Sequence, residues 1–163
     1  MHMIWSNLNV SLDTLNDMAA GTMTGLIGIE FTEIAKDHLR ASMPIDQRTI
    51  QPYGIMHGGA SAALIETLGS VASGLVIDKE TQSCVGLSLN ISHLRTVAEG
   101  HVHGVARPLH IGRSTHVWDV KVYDEEDELV SVGRLTVAVL DKVQIVHVKK
   151  DKQKKDKQRK LRS

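Results

Sequence analysis

Apolar and polar positions repeat along this chain with two periods, and the change between them divides it. Leu12, Leu15 and Met18 recur at helical spacing behind Ser11, whose hydroxyl can cap a first turn. They predict a short helix through about Ala20, ended by Gly21. Residues 27–45 read as two extended segments, IGIEFTEIA and HLRASMPI, turning at Lys36 and Asp37. Pro44 and Pro52 bracket a loop, and residues 58–78 predict a long helix rich in Ala, Gly and Ser. Gly69 and Gly74 each cost that helix about 1 kcal/mol relative to Ala, which close packing can offset. Beyond it the period becomes two, in runs Ser83–Leu94, His101–Leu109, Ser114–Tyr123 and Leu129–Leu140. Turn signals separate them at 98–100, 111–113 and 124–128. Short connections between the later runs predict antiparallel neighbours. The expected fold class is α+β, one sheet with one long helix on its face. That helix is apolar nearly all round, so a flat sheet leaves one side bare. A curled sheet and a second copy of the chain would close it, which predicts a homodimer.

Composition adds limits. The 163 residues suit one domain, and 3% aromatics point to a core of aliphatic and small residues. Cys84 is the only cysteine, so no intrachain disulfide is expected. No apolar run of about 18 residues suggests a membrane span, and MHMIWSNLNV lacks the build of a secretory signal; a cytoplasmic location is the expectation. The zero net charge hides an asymmetry. Lys149–Arg162 holds nine Lys or Arg and two Asp, a net of +7, which leaves −7 for the remainder. Such a run has no apolar period and repels itself. It reads as a solvated tail, with attraction to nucleic acid, an anionic membrane or a polyphosphate ligand as the functional alternative. The body shows no basic face, so no nucleic-acid partner is expected.

One carboxylate, Glu66, stands on the otherwise apolar long helix, which carries no other charge until Asp78. A buried carboxylate is costly unless paired or hydrogen-bonded. Ser70 lies four residues on, on the same face, and Ala62 and Ala63 leave room one turn earlier. His57-Gly58-Gly59 opens the helix, where free N–H groups and the positive dipole end can receive a carbonyl oxygen gaining charge. A carboxylate farther along can attack that carbonyl or activate water, the equipment for acyl transfer to water. The competing reading pairs Glu66 with an arginine across an interface. His101 and His103 share a strand face without a third ligand, so no metal is expected. Cys84 reads as a small core residue. Arg95, Arg107 and Arg113 are candidates for phosphate contacts that spacing does not separate.

The order MIW, then QPYGIMHGGASAALIETLGS, then CVGLSLNISHLR, then PLHIGRSTHVWDV resembles the hotdog-fold acyl-CoA thioesterases. Within them it is most similar to the branch of the bacterial 1,4-dihydroxy-2-naphthoyl-CoA thioesterase and the enterobactin-pathway proofreading thioesterase. The similarity covers residues 3–140, giving a thioesterase domain over 1–140 and a basic tail over 141–163. It implies a long central helix wrapped by a curled antiparallel sheet, paired into dimers and dimers of dimers. It also implies hydrolysis of an aromatic or medium acyl-CoA, with no cofactor beyond the coenzyme A of the substrate. Glu66 would be nucleophile or general base, and the Gly58 N–H would polarise the thioester carbonyl. His57 and Gln51 would position the thioester and leaving thiolate, Ser70 the water or acyl group, and His93 would touch an aromatic acyl group. Gly59 belongs to the same helix start, and Tyr53 stands where close relatives tend to have Phe. The resemblance also implies a site shared across the dimer interface. A hotdog dehydratase and a non-catalytic acyl-CoA sensor are the alternatives.

Overall fold

The computed structural model describes residues 3–6 and 10–142. Its elements are α1 (Leu12–Ala19), α2 (Met23–Leu26), β1 (Glu30–Ile34), β2 (Leu39–Pro44), α3 (Gly58–Val76), β3 (Gln82–His93), β4 (His101–Ile111), β5 (Thr115–Tyr123) and β6 (Leu129–Asp141). The basic run 149–162 lies outside the described residues.

The six strands form one antiparallel sheet in the order β1-β2-β4-β5-β6-β3. β4, β5 and β6 follow one another as a meander, as their short turns predict. β3 joins β6 from outside and is an edge of the sheet. The sheet wraps α3, so the expected α+β hotdog arrangement is the one the chain adopts. α3 is long and apolar enough to cross a membrane by length and composition, contrary to the expectation of no such run. The sheet covers one of its faces instead.

That covered face carries Leu64, Ile65, Leu68, Ala72 and Leu75, which pack on Val102, Trp118, Val120, Leu135 and Val137. Each buried Leu or Ile contributes about 1.5–3 kcal/mol. Gly69 belongs to this contact, because a Cβ there would lie 2.5 Å from Leu135 Cδ2. The core is not purely aliphatic: Trp5 stacks on Trp118 at 6.2 Å, and Phe31 is buried with them.

Ser11 caps α1 as expected, its Oγ accepting from the Thr14 N–H at 3.2 Å. The stripe on α1 differs from the expected one. Leu15 and Ala19, four apart, are buried, whereas Met18 is 65% exposed. Both spacings fit a helical period, and packing selects the i, i+4 pair. α2 was not foreseen, since a single turn of four residues shows no periodicity.

Beneath α3 the buried Ser73 hydroxyl accepts from Trp118 Nε1–H at 2.7 Å. Its own proton can then reach only His116 Nδ1, at 3.1 Å. Burial first, and the neighbouring His110 second, push the His116 imidazole below its ordinary 6.5. A base that resists protonation when folded stabilises the fold fully above the unfolded value and loses that contribution as pH falls below it. The thermal midpoint of the protein should therefore drop from pH 7.5 to 5 more steeply than that of His116→Gln, followed by circular dichroism. Equal slopes would remove His116 as the cause.

Candidate active site

The loop that enters α3 is folded back on itself. Gln51 N–H donates to Ile55 O at 2.9 Å and Gly54 N–H to Gln51 O at 2.9 Å, with Gly54 at φ +76°. This left-handed step favours glycine. His57 N–H then donates to Thr49 O at 2.8 Å, which sets the start of the helix. His57 is the N-cap, and its Nδ1 accepts from the Gly59 N–H at 2.7 Å. An accepting Nδ1 carries no proton, so the neutral ring holds its proton on Nε2, available to a ligand. Ala60 and Ser61 donate to His57 O. The Gly58 N–H is left: it donates to no acceptor among the described residues. The exposed His93 imidazole stands against Gly58, where a Cβ would come 3.0 Å from His93 Nε2.

Farther along α3, Glu66 is half-buried beside the β3 edge of the sheet. Ser70 Oγ donates to Glu66 Oε1 at 3.2 Å. The hydroxyl thus serves the carboxylate rather than back-bonding to its own helix. The carboxylate rests against Gly86 of β3, where any Cβ would collide with Oε1. Gly86 was not singled out in sequence, although a glycine inside a strand marks a bulge or close approach. The β3–β6 register does shift between Gly86 and Ser88. Cys84, one residue pair away on β3, donates weakly from Sγ to Ser70 O at 3.8 Å. Burial pushes its thiol up, which makes it a poor nucleophile.

The expected residues therefore form two clusters. His57, Gly58, Gly59 and His93 gather at the helix start, and Glu66 with Ser70 sits two turns on. Eight residues at 1.5 Å rise separate Gly58 from Glu66 by about 12 Å along α3. Gln51 is half-buried, and its side-chain amide makes no hydrogen bond among the described residues. Tyr53 is 87% exposed and does not reach either cluster. Arg95 and Arg107 are engaged by Glu128 at 2.7 Å and Asp37 at 2.5 Å. His101 and His103 pair with Glu125 and Asp127. Among the described residues no three His, Cys, Asp or Glu side chains converge as a metal site would require.

A mainly apolar groove of about 290 Å³ lies between α1 and α3. Thr67 and Val71, the residues after Glu66 and Ser70, line its near end, facing Leu15 and Phe31. Sequence reasoning did not find it, because its two walls are some fifty residues apart in the chain.

The sequence profile described as the thioesterase superfamily matches residues 53–131. The chain is 46% identical to the 1,4-dihydroxy-2-naphthoyl-CoA hydrolase of Escherichia coli K12 over 138 residues, 85% of this chain and 100% of that protein. It is 45% identical to the proofreading thioesterase EntH of Cronobacter turicensis, over 85% of this chain and 99% of that one. Among solved structures, the thioesterase HI1161 of Haemophilus influenzae superposes with TM-score 0.83 at 39% identity, covering 85% of this chain and 96% of that one. A curled sheet around one apolar helix, a half-buried carboxylate on that helix, and relatives of this identity over nearly their whole length agree: the chain belongs to the thioesterase superfamily and is a hotdog-fold thioester hydrolase.

Proposed function

We propose that the protein is a homodimeric acyl-CoA thioesterase acting on aromatic acyl groups, with Glu66 as nucleophile or general base and the partner's Gly58 N–H polarising the thioester carbonyl. The observation that carries this reading is the unused Gly58 N–H about 12 Å from Glu66 on one helix. A carbonyl held within about 3 Å of both groups cannot lie between them on the same α3. Two copies of α3 running in opposite directions remove the difficulty, because each start then lies beside the other's carboxylate.

β3 supplies a way to pair them. It is a 12-residue edge strand, with Val85 49% and Leu87 63% exposed. Antiparallel pairing of two β3 strands centred between Leu89 and Asn90 sets residue 93 of one opposite residue 86 of the other. The His93–Gly58 end of one protomer then faces the Gly86–Glu66 end of its neighbour. Such pairing also satisfies the edge amides and covers the exposed apolar residues.

In this arrangement Glu66 attacks the carbonyl or takes a proton from water, and Ser70 orients it. The His57 Nε2–H and the Gln51 amide hold the thioester and the departing sulfur. Gly59 fixes the His57 ring, His93 lies against the acyl group, and the exposed Tyr53 reaches the neighbouring protomer. A thiolate leaves with little acid assistance, which suits a site with one carboxylate and no dedicated acid. The groove beside Thr67 and Val71 takes the acyl group; its volume is at the small end of ligand pockets, which begin near about 300 Å³. The name of one relative, the 1,4-dihydroxy-2-naphthoyl-CoA hydrolase, favours an aromatic acyl group.

The test is free-thiol release from a panel of thioesters. Benzoyl-, hydroxybenzoyl- and 1,4-dihydroxy-2-naphthoyl-CoA should exceed acetyl- and palmitoyl-CoA in kcat/KM by about tenfold or more, a difference of some 1.4 kcal/mol. No release from any of the three aroyl thioesters would sink the proposal.

A further inference from the structure

Ser61 heads the buried stripe of α3 that continues through Ile65, Leu68, Ala72 and Leu75. The others on that stripe are apolar, yet Ser61 is as fully buried as they are. Its hydroxyl meets that of Ser131 on β6, equally buried, at 3.0 Å. Among the described residues neither hydroxyl has another partner. A hydroxyl pair taken out of water gains little over two apolar groups of the same shape. Stability alone therefore gives no reason to keep it, whereas its position does.

Ser131 is the cross-strand partner of His93 on β3. Gly58, three residues before Ser61, stands against the His93 ring. Residues three apart on a helix are about 5–6 Å from one another, and cross-strand partners about 4.5–5.5 Å. The two spacings match, so the first turn of α3 meets the sheet through two contacts side by side, Gly58 with His93 and Ser61 with Ser131. Only the second is a hydrogen bond, with a preferred distance and direction that sliding apolar side chains lack. On the other side of Gly58, Met56 N–H donates to Val97 O at 2.7 Å. The unused Gly58 amide is thus bracketed by a backbone hydrogen bond and a hydroxyl pair. We propose that Ser61 and Ser131 are positioning residues, whose hydrogen bond sets where the Gly58 N–H can meet a thioester carbonyl. This rests on the Gly58 N–H being the carbonyl donor of the proposed site.

The experiment is a double-mutant cycle read in the kcat of an aroyl-CoA. Ser131→Ala should lower kcat by about threefold to tenfold, a share of what an oxyanion donor supplies, with KM within about twofold of wild type. Added to Gly58→Pro, the same substitution should lower kcat no further, because the group it aims is already gone. Ser61→Ala/Ser131→Ala should lower kcat as Ser131→Ala does while melting nearer to wild type, because it leaves no buried hydroxyl unpaired. That variant carries the test if Ser131→Ala folds poorly. An equal loss in the wild-type and Gly58→Pro backgrounds, or no loss in either, overturns the inference and leaves the role of Gly58 standing. Turnover of Gly58→Pro itself near wild type removes the donor, and both readings fall.

Discussion

Glu66→Gln should lower kcat by about 10²–10⁴-fold, the span attributed to a positioned base or its equivalent, while the protein stays folded. The substitution keeps the shape of the side chain and its place against Gly86, where no larger group on the strand would fit. Ser70 still finds an amide oxygen to donate to, so the hydrogen bond now at 3.2 Å has a successor. With the acyl group placed along Thr67 and Val71, as proposed, KM should change little. Steady-state hydrolysis of an aroyl-CoA, with gel filtration as the control for assembly, reads the effect. Turnover near wild type would move Glu66 from chemistry to a structural or sensing role.

Gly58→Pro should lower kcat by about 10²–10³-fold through the loss of a single N–H, as for a missing oxyanion donor. Proline suits the first position of a helix. The residue before it must be extended, and His57 already is, at φ −71° and ψ 133°. The exposed His93 ring, 3.0 Å from the new Cβ, can shift. The same variant also tests the shared site. Differently tagged Gly58→Pro and Glu66→Gln chains, co-expressed and purified as mixed dimers, should regain about half of the wild-type activity. Each mixed dimer would contain one site with an intact glycine from one chain and an intact glutamate from the other. If each chain built its own site, every site would keep one lesion and the mixture would remain as inactive as its parents.

What the sequence disclosed follows from which interactions are local. Glu66 stood out because one charge interrupts an apolar helical period, and Ser70 followed from spacing of four. The strands were legible from alternation, and their antiparallel order from short turns. Gly86 was passed over, since its purpose depends on β3 crossing over Glu66, a contact twenty residues apart. Met18 was misassigned because i, i+3 and i, i+4 are equally helical, and only the packing of α1 beside Phe31 and β1 distinguishes them. Ser73, His116 and Trp118 looked like ordinary helix and strand positions, and their network exists only once α3 lies on the sheet. The groove lined by Leu15 and Thr67 likewise needs α1 and α3 side by side.

The exposed edge of β3 has a bearing on solubility as well as chemistry. A long edge strand, paired on one side only and with Val85 and Leu87 exposed, is a template for any other extended chain. A lone protomer would carry that hazard from the moment its sheet forms. Variants that weaken self-pairing should then surface first as poor yield and precipitation, before any loss of turnover per soluble molecule is measured. Selection against aggregation and selection for hydrolysis would act on the same twelve residues.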